Sequence, residues 1–253
     1  MASKVALVTG GSRGLGRSIA KHLAKSGVDV IITYRTDENE AESAVGEITS
    51  TGAKGGRLFL DVTDFDGYGE FSGSVSRILQ DNFGKSHLDY LVNNAGVGAF
   101  SPFENTSTEV FDEMFAVNVK APFFLTQALL EMLTSDSRVL NVSTAVVRGV
   151  VPGLSAYAAS KGAVETLTRY LAVELAERQI RVNALVGGAI DTEGFLGGMM
   201  RSDDVIALTE RQIALGRMGH ADDLAAAVPA ILSGSFAWAT GSLIEVSGGQ
   251  SLQ

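Results

Sequence analysis

Short apolar runs rich in β-branched residues alternate along the chain with longer stretches whose apolar positions recur at helical spacing. Residues 4–9 are the first such run; they lead straight into glycines and predict a strand. Residues 15–26 follow with helical period and stop at Gly27, a residue suited to closing a helix. Further strands are predicted over 29–34, 56–61, 88–93, 137–143, 180–186 and 242–246. Helices are expected over about 37–51, through Arg77 and Leu79, over about 108–133, over 156–177 and from about 221 to 232.

Strands separated by helical crossovers predict a parallel, doubly wound sheet. The strand cores are continuously apolar, as a sheet covered on both faces requires. No linker, composition shift or repeat divides the chain. One α/β domain over residues 1–253, with a central parallel sheet of about seven strands, is the expectation.

Composition narrows the chemistry. There is no cysteine, which excludes disulfides, thiolate metal sites and cysteine nucleophiles. His22, His87 and His220 lie far apart, so no metal site is expected. A net charge of −9 repels phosphate backbones, and no nucleic-acid partner is expected. The first ten residues read as a strand without a basic leader, and no apolar run approaches the roughly 20 residues of a membrane span. A soluble, cytoplasmic protein is the expectation.

The first strand runs into Thr9-Gly10-Gly11-Ser12-Arg13-Gly14-Leu15-Gly16 and then a helix. Glycines let the backbone approach a pyrophosphate closely, and a helix start offers free N–H groups and a positive dipole end. The spacing is neither Gly-x-Gly-x-x-Gly nor a phosphate loop ending in Gly-Lys-Ser/Thr. An acidic residue at the end of strand two would bond ribose hydroxyls; here Tyr34-Arg35-Thr36 stands instead. Arg35 and Arg13 favour a 2′-phosphate, and so NADP(H), unless Asp37 and Glu38 neutralise Arg35 or both arginines serve only solubility.

Tyr157 and Lys161 are four apart in the most regular predicted helix and share one face. A neighbouring ammonium favours the phenolate, so the Tyr157 pKa is expected below its ordinary value near 10.

Together these motifs resemble the short-chain dehydrogenase/reductase family across nearly the whole chain. The matching positions are the Thr9–Gly16 turn, Asp61-Val62, Asn93-Asn94-Ala95-Gly96, Asn118, Ser143, and Tyr157 with Lys161. Among its members the chain is most similar to 3-oxoacyl-carrier-protein reductases and ketoreductases of like size. The resemblance implies a Rossmann-type fold and an NADPH-dependent reductase of a ketone. It also implies that Tyr157 protonates the carbonyl oxygen, Ser143 hydrogen-bonds it, Lys161 holds the nicotinamide ribose, and Asn118 anchors a water of a proton relay. Gly10, Ser12, Arg13, Gly14, Leu15, Gly16, Tyr34, Arg35, Asp61, Val62, Asn94, Ala95, Gly96, Gly188, Ile190 and Thr192 would line the cofactor. A homotetramer with helical and C-terminal-strand interfaces is implied as well.

Plainer roles compete at three positions: a strand-end cap for Ser143, a backbone-bonded helix-bending side chain for Asn118, and a helix N-cap for Asp61. Gly187-Gly188 stands where the family usually has Pro-Gly, which is expected to loosen the segment beside the nicotinamide and admit bulkier ketones. Val97, Phe100, Val147, Leu154 and Phe195 would form an apolar pocket under a lid over about 190–216, hinged by glycines and filled by methionines. Arg148 and Arg201 are candidate contacts for an acidic carrier. Two alternatives stay open: a dehydrogenase acting on an alcohol or sugar in the oxidative direction, and a non-catalytic NADP-binding regulator.

Overall fold

Seven strands form one parallel sheet: β1 (Val5–Val8), β2 (Asp29–Tyr34), β3 (Gly55–Phe59), β4 (Leu88–Asn93), β5 (Leu133–Thr144), β6 (Arg181–Gly187) and β7 (Leu243–Val246). Their order is β3-β2-β1-β4-β5-β6-β7, and every pairing is parallel. The computed structural model describes residues 3–191 and 203–252.

Alternation within each strand sends side chains to two separate cores. Val5, Leu7, Ile31, Leu91, Val139 and Val182 face one side, under α3 (Tyr68–Ile78), α5 (Ala121–Ala128) and α6 (Ser155–Glu174). Ala6, Val8, Ile32, Val92, Leu140 and Leu185 face the other, under α1 (Gly14–Lys25), α2 (Glu38–Thr49), α8 (Ala221–Ala225) and α9 (Val228–Ile231). Each fully buried leucine or isoleucine of these layers contributes about 1.5–3 kcal/mol. The doubly wound single domain is as the continuous apolar strands require. Because β2 and β3 lie on one side of β1 and β4 to β7 on the other, a crevice opens at the carboxyl ends of the strands.

Three elements depart from the sequence pattern. The predicted helix over 108–133 is divided into α4 (Thr108–Phe115), a π turn (Ala116–Lys120) and α5, with a 3-10 turn (Leu130–Met132) after it. Pro122 has no N–H to return to the carbonyl of Asn118, four residues back, so a regular α ladder cannot run through. The helix over 221–232 likewise divides into α8 and α9, with Pro229 in the first turn of α9. A further helix, α7 (Asp203–Arg211), forms where only a glycine- and methionine-rich stretch was legible.

Candidate active site

The turn after β1 is locked to the end of β4. Thr9 Oγ1 accepts from the backbone N–H of Asn94 at 3.0 Å and of Ala95 at 2.9 Å, and Asn94 Nδ2 donates to the Thr9 carbonyl at 2.9 Å. Gly10 and Gly14 hold φ of 62° and 55°, which glycine adopts at little cost. A Cβ on Gly16 would stand 2.2 Å from the Gly10 carbonyl oxygen, so only glycine fits. α1 then opens into the crevice with no acidic residue in its first turn, the preferred setting for an anion.

Arg13 and Arg35 line the mouth of the same crevice and are exposed. Neither Asp37 nor Glu38 neutralises Arg35. Asp37 caps α2 by accepting from Glu40 N at 3.0 Å, and Glu38 pairs with Arg57 at 3.1 Å. No ion pair engages either Arg13 or Arg35 among the described residues. Tyr34, Val62, Ala95 and Gly96 line the crevice, and Asp61 is not among its lining residues. Its Oδ1 accepts from the hydroxyl and N–H of Thr63 at 2.7 and 2.9 Å. Those bonds, with the nearby charge of Arg35, hold its carboxyl below the usual range. Asp61 therefore closes a turn through Oδ1, close enough to the crevice to feel the charge of Arg35.

Deeper in the crevice stand Tyr157, Lys161 and Thr144. Thr144 stands beside Tyr157, and its hydroxyl lowers the phenol's pKa. Ser143, buried, is directed elsewhere: its Oγ donates to Glu165 Oε1 at 2.9 Å. Ser143 shares the face of Val139 and Asn141, which packs on α6, and Thr144 is the last residue of the strand, where the chain turns into Ala145–Val147. Ser143 and Thr144 both line the cavity, but the hydroxyl beside Tyr157 is Thr144, not Ser143 as expected, and a hydroxyl next to the predicted serine was the only signal for it.

The expected lowering of the Tyr157 pKa is also corrected. Burial pushes the phenol up to about 12, against a smaller lowering by Thr144. Lys161 Nζ donates to the Val142 carbonyl at 2.9 Å, and burial lowers its pKa to about 8. Both nonpolar surroundings favour the neutral form. Gly96 makes room for this ammonium, since a Cβ there would lie 3.2 Å from Nζ and 3.1 Å from Asn118 Oδ1.

Asn118 sits in the π turn, buried and away from the crevice surface. Its Oδ1 accepts from Val97 N at 3.0 Å, and Nδ2 donates to the Val97 carbonyl at 2.8 Å and to Ser160 Oγ at 3.0 Å. The side chain is fully committed to bracing Val97 against α6. A water on Asn118 would have to use its carbonyl, the one Pro122 cannot bond.

The cavity measures about 1160 Å³, roomier than the 300–1,000 Å³ usual for one small ligand. Its lining includes the apolar residues Val97, Phe100, Val151, Leu154, Val205 and Leu208. Val146 lines it in place of the expected Val147, whose Cγ1 is turned toward Gly162 of α6. Gly188 and Ile190 reach the cavity. Thr192, Phe195, Arg201 and the middle of the proposed lid lie outside the described residues. Gln250 closes one side, its Oε1 accepting from Ala189 N at 2.7 Å, a contact with no sequence signal. Arg148 is held by Glu165 and Glu245, at 3.3 and 3.6 Å, and is not free for an acidic carrier. Gly187 is no loose linker: it ends β6, buried and paired with Thr144 and Val246. Among the described residues no cluster of three or more metal-ligating side chains stands together, and no helix is long and apolar enough to cross a membrane.

A family model described as enoyl-(acyl carrier protein) reductase matches residues 10–251. The short-chain dehydrogenase/reductase FrzI of a Cladobotryum species is 34% identical over 254 residues, covering 97% of this chain and 95% of that protein. Versicolorin reductase stcU of Emericella nidulans is 33% identical over 260 residues, covering 97% and 95%. The crystal structure of the angucycline C-6 ketoreductase LanV with bound NADP superposes with a TM-score of 0.94 at 32% identity, over 100% of this chain and 97% of that one.

Proposed function

The chain belongs to the short-chain dehydrogenase/reductase family of oxidoreductases, and from that premise we propose that it reduces a neutral, bulky, largely aromatic ketone with NADPH. The observation that carries this reading is Thr144 beside Tyr157 in the crevice, with Lys161 one helical turn on.

The crevice fits a dinucleotide phosphate. Only glycine is admitted at position 16, the start of α1 is free of acidic groups, and Arg13 and Arg35 supply two unpaired guanidinium groups for a 2′-phosphate. Gly10, Ser12, Gly14, Leu15 and Gly16 would face the pyrophosphate, Tyr34 and Val62 the adenosine, and Gly188 and Ile190 the nicotinamide end. When bound, NADPH supplies the hydride that forms the new C–H bond at the carbonyl carbon.

Tyr157 supplies the proton. Burial keeps its phenol protonated at neutral pH, the state a general acid needs as the carbonyl oxygen gains charge. Thr144 shares a hydrogen bond with that oxygen and orients the phenol. Lys161, still mostly protonated below about pH 8, stabilises the phenolate left behind. Asn118 positions this group through Val97 and Ser160.

The substrate class rests on the lining. Apart from Arg13, Arg35, Lys161 and Asp191 the described lining residues carry no charge, and the many apolar ones suit a neutral substrate. The names of the relatives above, a versicolorin reductase and an angucycline C-6 ketoreductase, support reduction of a ketone. Exposed Phe111, Phe123, Phe124, Tyr170 and Val173 on α4, α5 and α6 support self-association, a homotetramer in our reading, which light scattering tests.

The test is loss of NADPH absorbance with a panel of aryl ketones and quinones, repeated with Tyr157→Phe. A drop of about 10²-fold or more is expected for a lost general acid. Equal rates would remove Tyr157 from the mechanism.

A further inference from the structure

β5 and α6 carry the two hydroxyls of the active site, and three rungs join them. Thr144 meets Tyr157, Ser143 Oγ donates to Glu165 at 2.9 Å, and Asn141 Nδ2 donates to Thr168 Oγ1 at 2.9 Å. The middle rung is unlike the third, because Glu165 is a buried carboxylate. Its second oxygen takes a 3.3 Å contact from Arg148, the first residue after the 3-10 turn Ala145–Val147 that follows β5. Arg148 reaches on to Glu245 of β7 at 3.6 Å, and Glu245 accepts from the Ser247 hydroxyl, which in turn accepts from the N–H groups of Gly249 and Gln250. A buried carboxylate is costly to keep without such partners, and with them it fixes geometry.

We propose that Glu165 is a positioning residue for the reduction: through Ser143 and Arg148 it clamps both sides of Thr144, and so sets the Thr144 hydroxyl against Tyr157. Tyr157, Lys161 and Glu165 are spaced i, i+4 and i+8 on one face of α6, so the proton donor and the clamp belong to one rigid element. Thr144 is the residue between the clamped Ser143 and the turn that Arg148 closes. Glu165 touches neither substrate nor cofactor space, since it does not line the cavity. The role rests on the reading of Thr144 and Tyr157 given above.

The experiment is a double-mutant cycle in the full-length protein, with an aryl ketone and NADPH as probes. Ser143→Ala deletes one oxygen, and Glu165→Ala deletes the clamp; each is expected to lower kcat roughly ten-fold by misplacing a catalytic group, with KM and the NADPH Kd from fluorescence quenching within two-fold. In a Thr144→Ala background the same changes should add less than two-fold, because the group they position is gone. A merely structural role predicts equal losses in both backgrounds. Additive losses, or wild-type kcat in Ser143→Ala, overturn the inference. If Glu165→Ala fails to fold, with Arg148 left to Glu245 alone, Ser143→Ala completes the cycle. Full activity of Tyr157→Phe would instead sink the underlying reading of the site.

Discussion

Ser143 and Thr144 are neighbours at the end of β5 and meet different residues of α6: the Ser143 hydroxyl is spent on buried Glu165, and Thr144 stands beside the Tyr157 phenol. Thr144→Ala should therefore lower kcat for ketone reduction by about 10²-fold, while Thr144→Ser, which keeps the hydroxyl, stays within ten-fold of wild type. Steady-state rates of NADPH oxidation decide it. A Thr144→Ala enzyme at full rate would return the role to another group.

This pair also shows how far the sequence could be read. Two consecutive hydroxyl residues, Ser143 and Thr144, both reach the cavity, but which one stands beside Tyr157 depends on where α6 packs. That is a tertiary fact. The sheet itself was legible because its strands are apolar on both faces, and β2 and β4 fall at the predicted residues. The glycine turn was legible because only glycine tolerates its geometry at Gly10, Gly14 and Gly16. Asn118 was visible as a residue, but not its two bonds to Val97, since the π turn that aims it is set by Pro122 and the packing of α6. The Tyr157 pKa was misjudged in sign, because sequence spacing shows a nearby ammonium and hides burial.

Cofactor preference should move with the two unpaired guanidinium groups. A charge-assisted hydrogen bond to a phosphate is worth about 1.5–3 kcal/mol, or roughly 10- to 100-fold in affinity. Arg35→Ala should raise the NADPH Kd by that factor and leave the NADH Kd nearly unchanged, and Arg13→Ala should act in the same direction. Fluorescence titration with both nucleotides measures it. Equal weakening of both would show that the arginines do not read the 2′-phosphate.

Lys161 ties stability to pH. Its native pKa, about 8, lies below the ordinary 10.5 because burial disfavours the charge. Below pH 8 both folded and unfolded states carry the proton, and the cost of burying it is fully present. Between about 8 and 10.5 the native state releases the proton first, so the unfolded state binds more and native stability rises with pH. The gain is on the order of 2–3 kcal/mol. Urea unfolding of the ligand-free protein across this window should show the rise in wild type relative to Lys161→Met. A parallel pH dependence in both proteins would contradict it.

Gly187 offers the last test. The family pattern invites restoring proline there, and an unconstrained loop would accept it with a gain in stability. The position is instead the buried end of β6, where an added Cβ would lie 2.5 Å from Leu224 Cδ2. Leu224 is itself buried under the sheet and has little room to withdraw. Gly187→Pro alone should then cost about 1–3 kcal/mol through overpacking. Leu224→Ala alone should cost about 2–5 kcal/mol through its cavity. Combined, the two changes relieve each other, so the double variant should be more stable than the sum of the singles predicts, by about 1 kcal/mol or more. Chemical denaturation of the four proteins gives that coupling. Simple additivity would mean that Leu224 is not what excludes a side chain at 187, and a stabilised Gly187→Pro would mean that nothing there excludes one.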